Sequence, residues 1–253
     1  MKILLVNDDG IQAEGILALA RALSVEHEIV ICAPDRQQSG TSHSMIHHIT
    51  AKKVELDIKN TVGYAIAGTP VNCTIAGLQA LMPDAELVIS GVNAGRNAGM
   101  DIHYSGTVAA AMEAALSGKP ALALSLKSSA KMDYTYAADF VRRNLSLLFS
   151  AAKCIEKCVI NINFPAFETP KGVLFTKTAD LDSKDYLTLI PGDMEDGLLH
   201  YQISGTAKKP VYGEGTDLLA IEEGYISISG IAAGRGFSSL ENIFAKMPEN
   251  FAV

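Results

Sequence analysis

The chain is short of cations. Its 253 residues hold 21 Lys and Arg against 28 Asp and Glu, a formal net charge of −7 with the six histidines counted neutral. Binding a nucleic-acid backbone takes clustered Lys and Arg that displace counterions, so this balance argues against a nucleic-acid polymer as partner. A small anion held through a metal remains open. Cysteine is also scarce. Cys32, Cys73, Cys154 and Cys158 show no C-x-x-C spacing, and the one C-x3-C pair is a weak metal signal, so the four read as reduced, mostly buried thiols. Long apolar runs are missing. Only Ile3-Leu4-Leu5-Val6 separates Lys2 from Asn7 and two aspartates, too little for a signal peptide, and nothing approaches a membrane span. The expectation is a cytoplasmic protein with no membrane partner. Tryptophan is absent and aromatics make up 6% of the chain; there is no internal repeat and no low-complexity tract.

What is present is a soluble globular composition, 48% hydrophobic and 19% charged. A chain of this length removes roughly three quarters of its surface from water on folding and needs no disulfide or metal staple. Short apolar runs alternate with helical periodicity over residues 1–165, which predicts a parallel sheet flanked by helices. Strands are expected at Lys2–Val6, Glu28–Ala33, Tyr64–Ala67, Leu87–Ser90, Ala121–Leu126 and Val159–Ile162. Helices are expected at Glu14–Leu23, Val71–Leu81, Thr107–Leu116 and Tyr136–Phe149, the first with an Ile16, Leu19, Ala20, Leu23 stripe. Met45–Leu56 alternates partially and reads as a strand or hairpin. After Pro165 the texture changes: Gly172–Thr178, Leu199–Ser204 and Tyr225–Ser229 look like strands between turns such as Pro191-Gly192-Asp193 and Tyr212-Gly213-Glu214-Gly215. The expectation is one α/β domain over 1–253, a doubly wound, mostly parallel core at about 1–165 and an antiparallel excursion at about 166–253.

In such sheets ligands bind beyond the carboxyl ends of the strands, and the loops there are polar. The first strand ends in Asn7-Asp8-Asp9-Gly10, the second leads into Ser39-Gly40-Thr41-Ser42-His43-Ser44, and a later one ends in Ser90-Gly91-Val92-Asn93. Adjacent carboxylates beside Ser and Asn oxygens make a hard site suited to Mg, Mn or Ca rather than Zn, and two neighbouring aspartates repel unless a cation neutralises them. A plain turn capping the next helix is the alternative. Gly91 to Gly99 repeats glycine every four residues, unlike a P-loop or dinucleotide fingerprint. Ser105-Gly106-Thr107 stands before a predicted helix, where it either holds a phosphate at the positive helix end or simply caps it. His43 and His103 lie in loops that can reach a ligand or stay solvated. His47 and His48 would point to opposite faces of a strand, and Lys127 reads as an exposed lysine after a strand.

Taken together, Met1 to Ile11, Ala33-Pro34-Asp35 with Ser39-Gly40, Gly68-Thr69-Pro70, Ser90 to Asn97, Tyr104 to Ala109, Asn161-Ile162-Asn163-Phe164-Pro165 and Gly224 to Ile228 resemble the stationary-phase survival protein E family of metal-dependent 5'-nucleotidases. The resemblance implies a Rossmann-like core with a C-terminal β-hairpin and tail exchanged between subunits of a homodimer or homotetramer. It implies one divalent cation per subunit, Mg or Mn, on Asp8, Asp9, Ser39 and Asn93. It places Asn97, Ser105, Gly106 and Thr107 around the phosphate, with Gly40 and Thr41 nearby. The chain departs from the family in having Asn72 before Cys73, where Asp is common, and Ser229-Gly230-Ile231, where Thr-Pro-Leu is frequent.

The expected reaction is hydrolysis of nucleoside 5'-monophosphates, with 3'-monophosphates and short polyphosphate as further candidates. Attack is by water activated on the ion, with Asp8 or Asp9 assisting and no cysteine nucleophile. One rival is a receiver-like signalling module, which also pairs acids after its first strand to hold Mg but needs a phospho-accepting Asp at the end of a central strand. Another is a nucleotide-sugar transferase, for which no sugar-nucleotide pocket is visible.

Overall fold

The structure is a computed structural model that describes residues 1–166, 169–180 and 212–233, and the backbone of Tyr186–Leu189 and Tyr201–Ser204. In chain order the first elements are β1 (Lys2–Val6), α1 (Glu14–Leu23), β2 (Glu28–Pro34), β3 (Ala51–Val54), β4 (Thr61–Ile66), α2 (Pro70–Ala76), β5 (Leu87–Ala94) and α3 (Gly106–Leu116). They are followed by β6 (Ala121–Leu126), α4 (Thr135–Cys154), β7 (Cys158–Phe164), β8 (Val173–Phe175), β9 (Tyr186–Leu189), β10 (Tyr201–Ser204), α5 (Asp217–Glu222) and β11 (Ile226–Ala232).

β1 and β2 are near-continuous aliphatic runs, the pattern of strands covered on both faces. Nine strands form one sheet in the order β3-β4-β2-β1-β5-β6-β7-β11-β8. The six from β4 to β7 in that order are parallel, while β3 runs antiparallel to β4 and β11 antiparallel to β7. α1 and α4 cover one face, where Ile16, Leu19 and Leu23 pack with Phe140, Val141 and Phe164. α2 and α3 cover the other, where Val108, Ala111 and Ala114 meet Leu4, Val6, Val88 and Ala123. Thr69 starts α2 with a capping box to Asn72 and Pro70 in the first turn. The chain leaves β1 toward β2 and returns on its other side as β5. This switch point opens a crevice above the carboxyl ends of β1 and β5.

The doubly wound sheet is therefore as expected, with Lys2–Val6, Ala121–Leu126 and Glu14–Leu23 at their predicted bounds. Other elements differ at their ends. β5 runs on to Ala94 because a bulge between Ser90 and Asn93 lets it keep pairing with β6. Gly91, at φ +127°, allows it: a Cβ there would stand 2.3 Å from Leu124 O. The α2 segment stops at Ala76 and continues as a π-turn over Gly77–Leu81. Met45–Leu56 yields only β3, a hairpin partner of β4. His47 and His48 are not on a strand at all but exposed in the loop before it, where no ladder partner is available.

After Pro165 the expected antiparallel pair is present as β9 and β10. β8 and β11 instead join the main sheet, because Ile226 and Ile228 complete the layer over Ile162 and Phe164. The Pro191-Gly192-Asp193 turn, and residues 199 and 200 of the predicted strand, lie outside the described residues. Cys32, Cys73 and Cys158 are buried, Cys154 is exposed, and all four are free thiols. Among the described residues no helix is long and apolar enough to cross a membrane.

Candidate functional site

At the end of β1 the turn is pinned by a side-chain amide. Asn7 Nδ2 donates to Gly10 O (2.9 Å) and Gly10 N–H donates to Asn7 Oδ1 (3.1 Å), with Gly10 at φ +106°. Asp8 and Asp9 sit inside this turn. Asp8 is only 3% exposed, and its Oδ1 accepts from the Thr107 hydroxyl on the first turn of α3 at 2.5 Å. Burial pushes its carboxyl up to about 6 against the opposing Thr107 bond, and the neighbouring Asp9 charge pushes the same way. Asp9 is half-buried. Burial raises its pKa too, opposed by the Ala94 N–H that donates to Oδ2 (3.0 Å) and by the Gln37 side chain.

Among the described residues neither carboxylate has a Lys, Arg or His ion-pair partner. Two acids in a desolvated crevice with no cationic side chain are a site that a divalent cation would neutralise. The other expected ligands supply neutral oxygens. Ser39 Oγ accepts from Gln37 Nε2 (3.0 Å), so one amide links Ser39 to Asp9. Asn93 spends its amide nitrogen on Gly95 O (2.8 Å), which leaves its oxygen for a cation. No group of three or more His, Cys, Asp and Glu gathers as a metal cluster among the described residues, and the set fits a hard cation through oxygen alone.

α3 begins against Asp8. A Cβ on Gly106 would stand 2.9 Å from Asp8 Cβ and 3.0 Å from Asp8 Oδ2, so only glycine lets the helix start there. Ser105 Oγ caps the helix by accepting from Val108 N–H (3.0 Å), and Thr107 is committed to Asp8. The loop after β2 is stitched to the same place. Gln38 N–H donates to Asp8 O (2.7 Å), Thr41 Oγ1 to Gln38 O (2.8 Å), Ser42 N–H to Tyr104 O (3.1 Å) and Ser42 Oγ to His103 O (2.9 Å). Gly40, at φ +73°, has open space around it. Ser39-Gly40-Thr41 and Ser105-Gly106-Thr107 therefore border one crevice with the two aspartates.

Asn97 is buried and held on every side. Its N–H donates to Asn163 Oδ1 (2.8 Å), its carbonyl accepts from Asn161 Nδ2 (2.9 Å) and Asn163 Nδ2 (3.0 Å), and its Nδ2 donates to Ser125 Oγ (2.8 Å). Two acids from α5 secure the rest of this loop. Asp217 Oδ2 accepts from Gly99 N–H (2.9 Å), and Glu222 bridges Arg96 (3.1 Å) and Lys127 (2.6 Å). Lys127 is thus a paired, three-quarters-buried residue rather than an exposed one. His43 pairs with Glu113 on α3 (3.0 Å), and His103 is exposed.

Sequence reasoning missed Gln37, Ser125, Asp217 and Glu222 and gave no role to Asn161 and Asn163. The last two carried a signal, since amides at alternate positions of an apolar strand put two polar groups on one buried face. Two alternatives lose ground. Burial pushes the Cys32 thiol up to about 12, unlike an activated nucleophile, and β5 carries Asn93 next to its last residue Ala94, where a receiver would need an Asp.

The sequence model of the family described as "Survival protein SurE" matches residues 3–185. A protein of Pelotomaculum thermopropionicum named 5'-nucleotidase SurE is 38% identical over 90% of this chain and 88% of its own length. One of the same name from Kosmotoga olearia is 36% identical over 98% of both. The crystal structure of the SurE protein from Aquifex aeolicus superposes with a TM-score of 0.79 at 29% identity, covering 96% of this chain and 97% of that one.

Proposed function

Because the chain belongs to the survival protein SurE family, we propose that it is a 5'-nucleotidase, hydrolysing nucleoside 5'-monophosphates to nucleoside and phosphate. One divalent cation per subunit, Mg or Mn, would be held by Asp8, Asp9, Ser39 and Asn93. The observation that carries the reading is the desolvated Asp8–Asp9 pair, without a cationic ion-pair partner among the described residues, set against the first turn of α3 at the switch point of the sheet. The names of the relatives supply the substrate class.

A phosphomonoester brings negative charge that must be neutralised for an anionic or hydroxylic attacker to approach. When bound, the ion offsets the charge on the phosphoryl oxygens and makes water a better nucleophile near neutral pH. The remaining work falls to the chain. Thr107 orients Asp8 through a bond the buried carboxylate cannot replace with water. Asp9, the more exposed of the pair, accepts a proton from the attacking water. The start of α3 at Ser105-Gly106-Thr107 offers a positive helix end to the phosphate, and Gly40 and Thr41 close the opposite side. Asn97, held in a fixed loop, is assigned to the same group by the family resemblance. The reading extends to 3'-monophosphates and short polyphosphate as further candidate substrates, to a homodimer or homotetramer, which the family resemblance supports, and to a cytoplasmic location.

The test is phosphate release from nucleoside 5'- and 3'-monophosphates and a short polyphosphate, in chelator, Mg and Mn, by the wild type and Asp9→Ala. Release that needs metal, favours 5'-monophosphates and disappears in the variant is the expected result. Folded protein that releases no phosphate with either metal would overturn the reading.

A further inference from the structure

Three loops of the crevice are each gripped by an asparagine side chain that acts as a surrogate peptide, giving Nδ2–H to a carbonyl and taking an N–H on Oδ1 from the same residue. Asn7 does this to Gly10 at 2.9 and 3.1 Å, closing the Asp8–Asp9 turn. Asn72 does it to Ile46 at 2.9 and 3.1 Å, tying the loop after β2 to α2. Asn163 does it to Asn97 at 3.0 and 2.8 Å, and Asn161 adds a second donor to the same Asn97 carbonyl at 2.9 Å.

The third grip differs from the others in where it is built. Asn161 and Asn163 are completely buried on β7, two strands away from β5. They belong to a polar layer crossing the sheet under the loop. Cross-strand pairing aligns Asn93 with Ser125, Ser125 with Asn163 and Asn163 with Ser227. One step below, it aligns Ser90 with Ala123, Ala123 with Asn161 and Asn161 with Ser229. In the lower row Ser90 Oγ, Asn161 Oδ1 and Ser229 Oγ are buried without a protein partner among the described residues. Buried polar atoms left unpaired weaken a fold, and an apolar replacement is close to neutral where it leaves no partner unsatisfied; the Asn97 carbonyl keeps Asn163 Nδ2 as a donor when Asn161 is changed. The Asn161 amide thus makes one bond that serves the loop and leaves its other end unpaired in the core.

We propose that Asn161 and Asn163 are positioning residues for phosphoryl transfer. They act through Asn97, fixing both polar groups of its main chain so that the Gly-rich loop presents one conformation to the phosphate. A fixed loop is worth rate because misplacement of a binding group by about 1 Å can cost on the order of a hundredfold. The activity part of this proposal rests on the nucleotidase reading; the loop-holding part does not.

The experiment compares Asn163→Leu and Asn161→Leu with the wild-type full chain by thermal melting, by hydrogen exchange of the amides of residues 95–99, and by kcat and KM for a nucleoside 5'-monophosphate with Mn. Asn163→Leu removes the acceptor of Asn97 N–H. Asn161→Leu takes away one of two donors to the same carbonyl and the unpaired Oδ1 with it, so it keeps the test alive should the first variant not fold. The expected result for Asn161→Leu is a melting temperature no lower than wild type, faster exchange of the 95–99 amides, and kcat reduced by about tenfold or more with a smaller change in KM. A lower melting temperature with unchanged loop exchange and kcat would show a merely structural residue and overturn the proposal. Faster exchange with unchanged kcat would overturn the catalytic half. Should the wild type release no phosphate, the nucleotidase reading fails, while loop exchange still decides whether the amides hold Asn97.

Discussion

On one side of the switch point, β1 and β2 bury Ile3, Leu4, Leu5, Val6, Ile29, Val30 and Ile31, each strand apolar on both faces. On the other, β5, β6, β7 and β11 bury Ser90, Asn93, Ser125, Asn161, Asn163, Ser227 and Ser229 in the same sheet. The backbone ladders are alike, so the difference lies in what the side chains are for. The aliphatic strands supply burial, at about 25 cal/mol for each Å² of apolar surface removed from water. The polar strands give up part of that gain to side-chain hydrogen bonds that reach the loops above them. Stability and loop geometry are thus assigned to different strands of one layer.

The contrast can be broken from either side. Leu4 is fully buried, and Gly77 lies so near its methyls that a Cβ there would be 2.5 Å away. Leu4→Ala is expected to cost about 2–5 kcal/mol of stability in a denaturant melt, with kcat of the folded fraction unchanged. Asp8→Asn keeps the side-chain volume and removes the charge; it is expected to lower kcat by more than about a hundredfold, since even outer partners of metal ligands cost 10–100-fold, with an unchanged circular dichroism spectrum. Thr107→Val leaves Asp8 Oδ1 without its donor. A hydrogen bond to a charged group is worth about 1.5–3 kcal/mol, so kcat/KM is expected to fall by roughly ten- to a hundredfold. Val25, 68% exposed beyond α1, sits outside both regions. Val25→Ser is expected to shift stability by less than about 0.5 kcal/mol and to leave turnover as it was.

Much of this arrangement was legible in the chain. Lys2–Val6 and Ala121–Leu126 announced themselves because a strand covered on both faces is an unbroken apolar run, and the Asn7-Asp8-Asp9-Gly10 turn because Asn, Asp and Gly together favour a tight turn after a strand. The crevice could be anticipated from the order of strands and polar loops. The partners that hold it could not. Asp217 and Glu222 reach the Gly91–Gly99 segment from more than a hundred residues away, and no local pattern marks an acid that accepts N–H groups across a fold. Gln37 looked like any loop amide until its contacts with Asp9 and Ser39 were in place. β8 and β11 were misjudged for a similar reason: alternation shows that a segment is a strand, while the sheet it joins is decided by which exposed edge its Ile226 and Ile228 can cover. Asn72 in place of the family's common Asp is explained by its Nδ2, which donates to Ile46 O, a bond a carboxylate cannot make.

The most direct test of the account is a calorimetric titration of Mn into chelator-treated wild type and Asp9→Ala at neutral pH. The account predicts one site per chain in the wild type, lost or strongly weakened in the variant while its melting curve stays cooperative. Manganese bound equally well by both, or by neither, would contradict it.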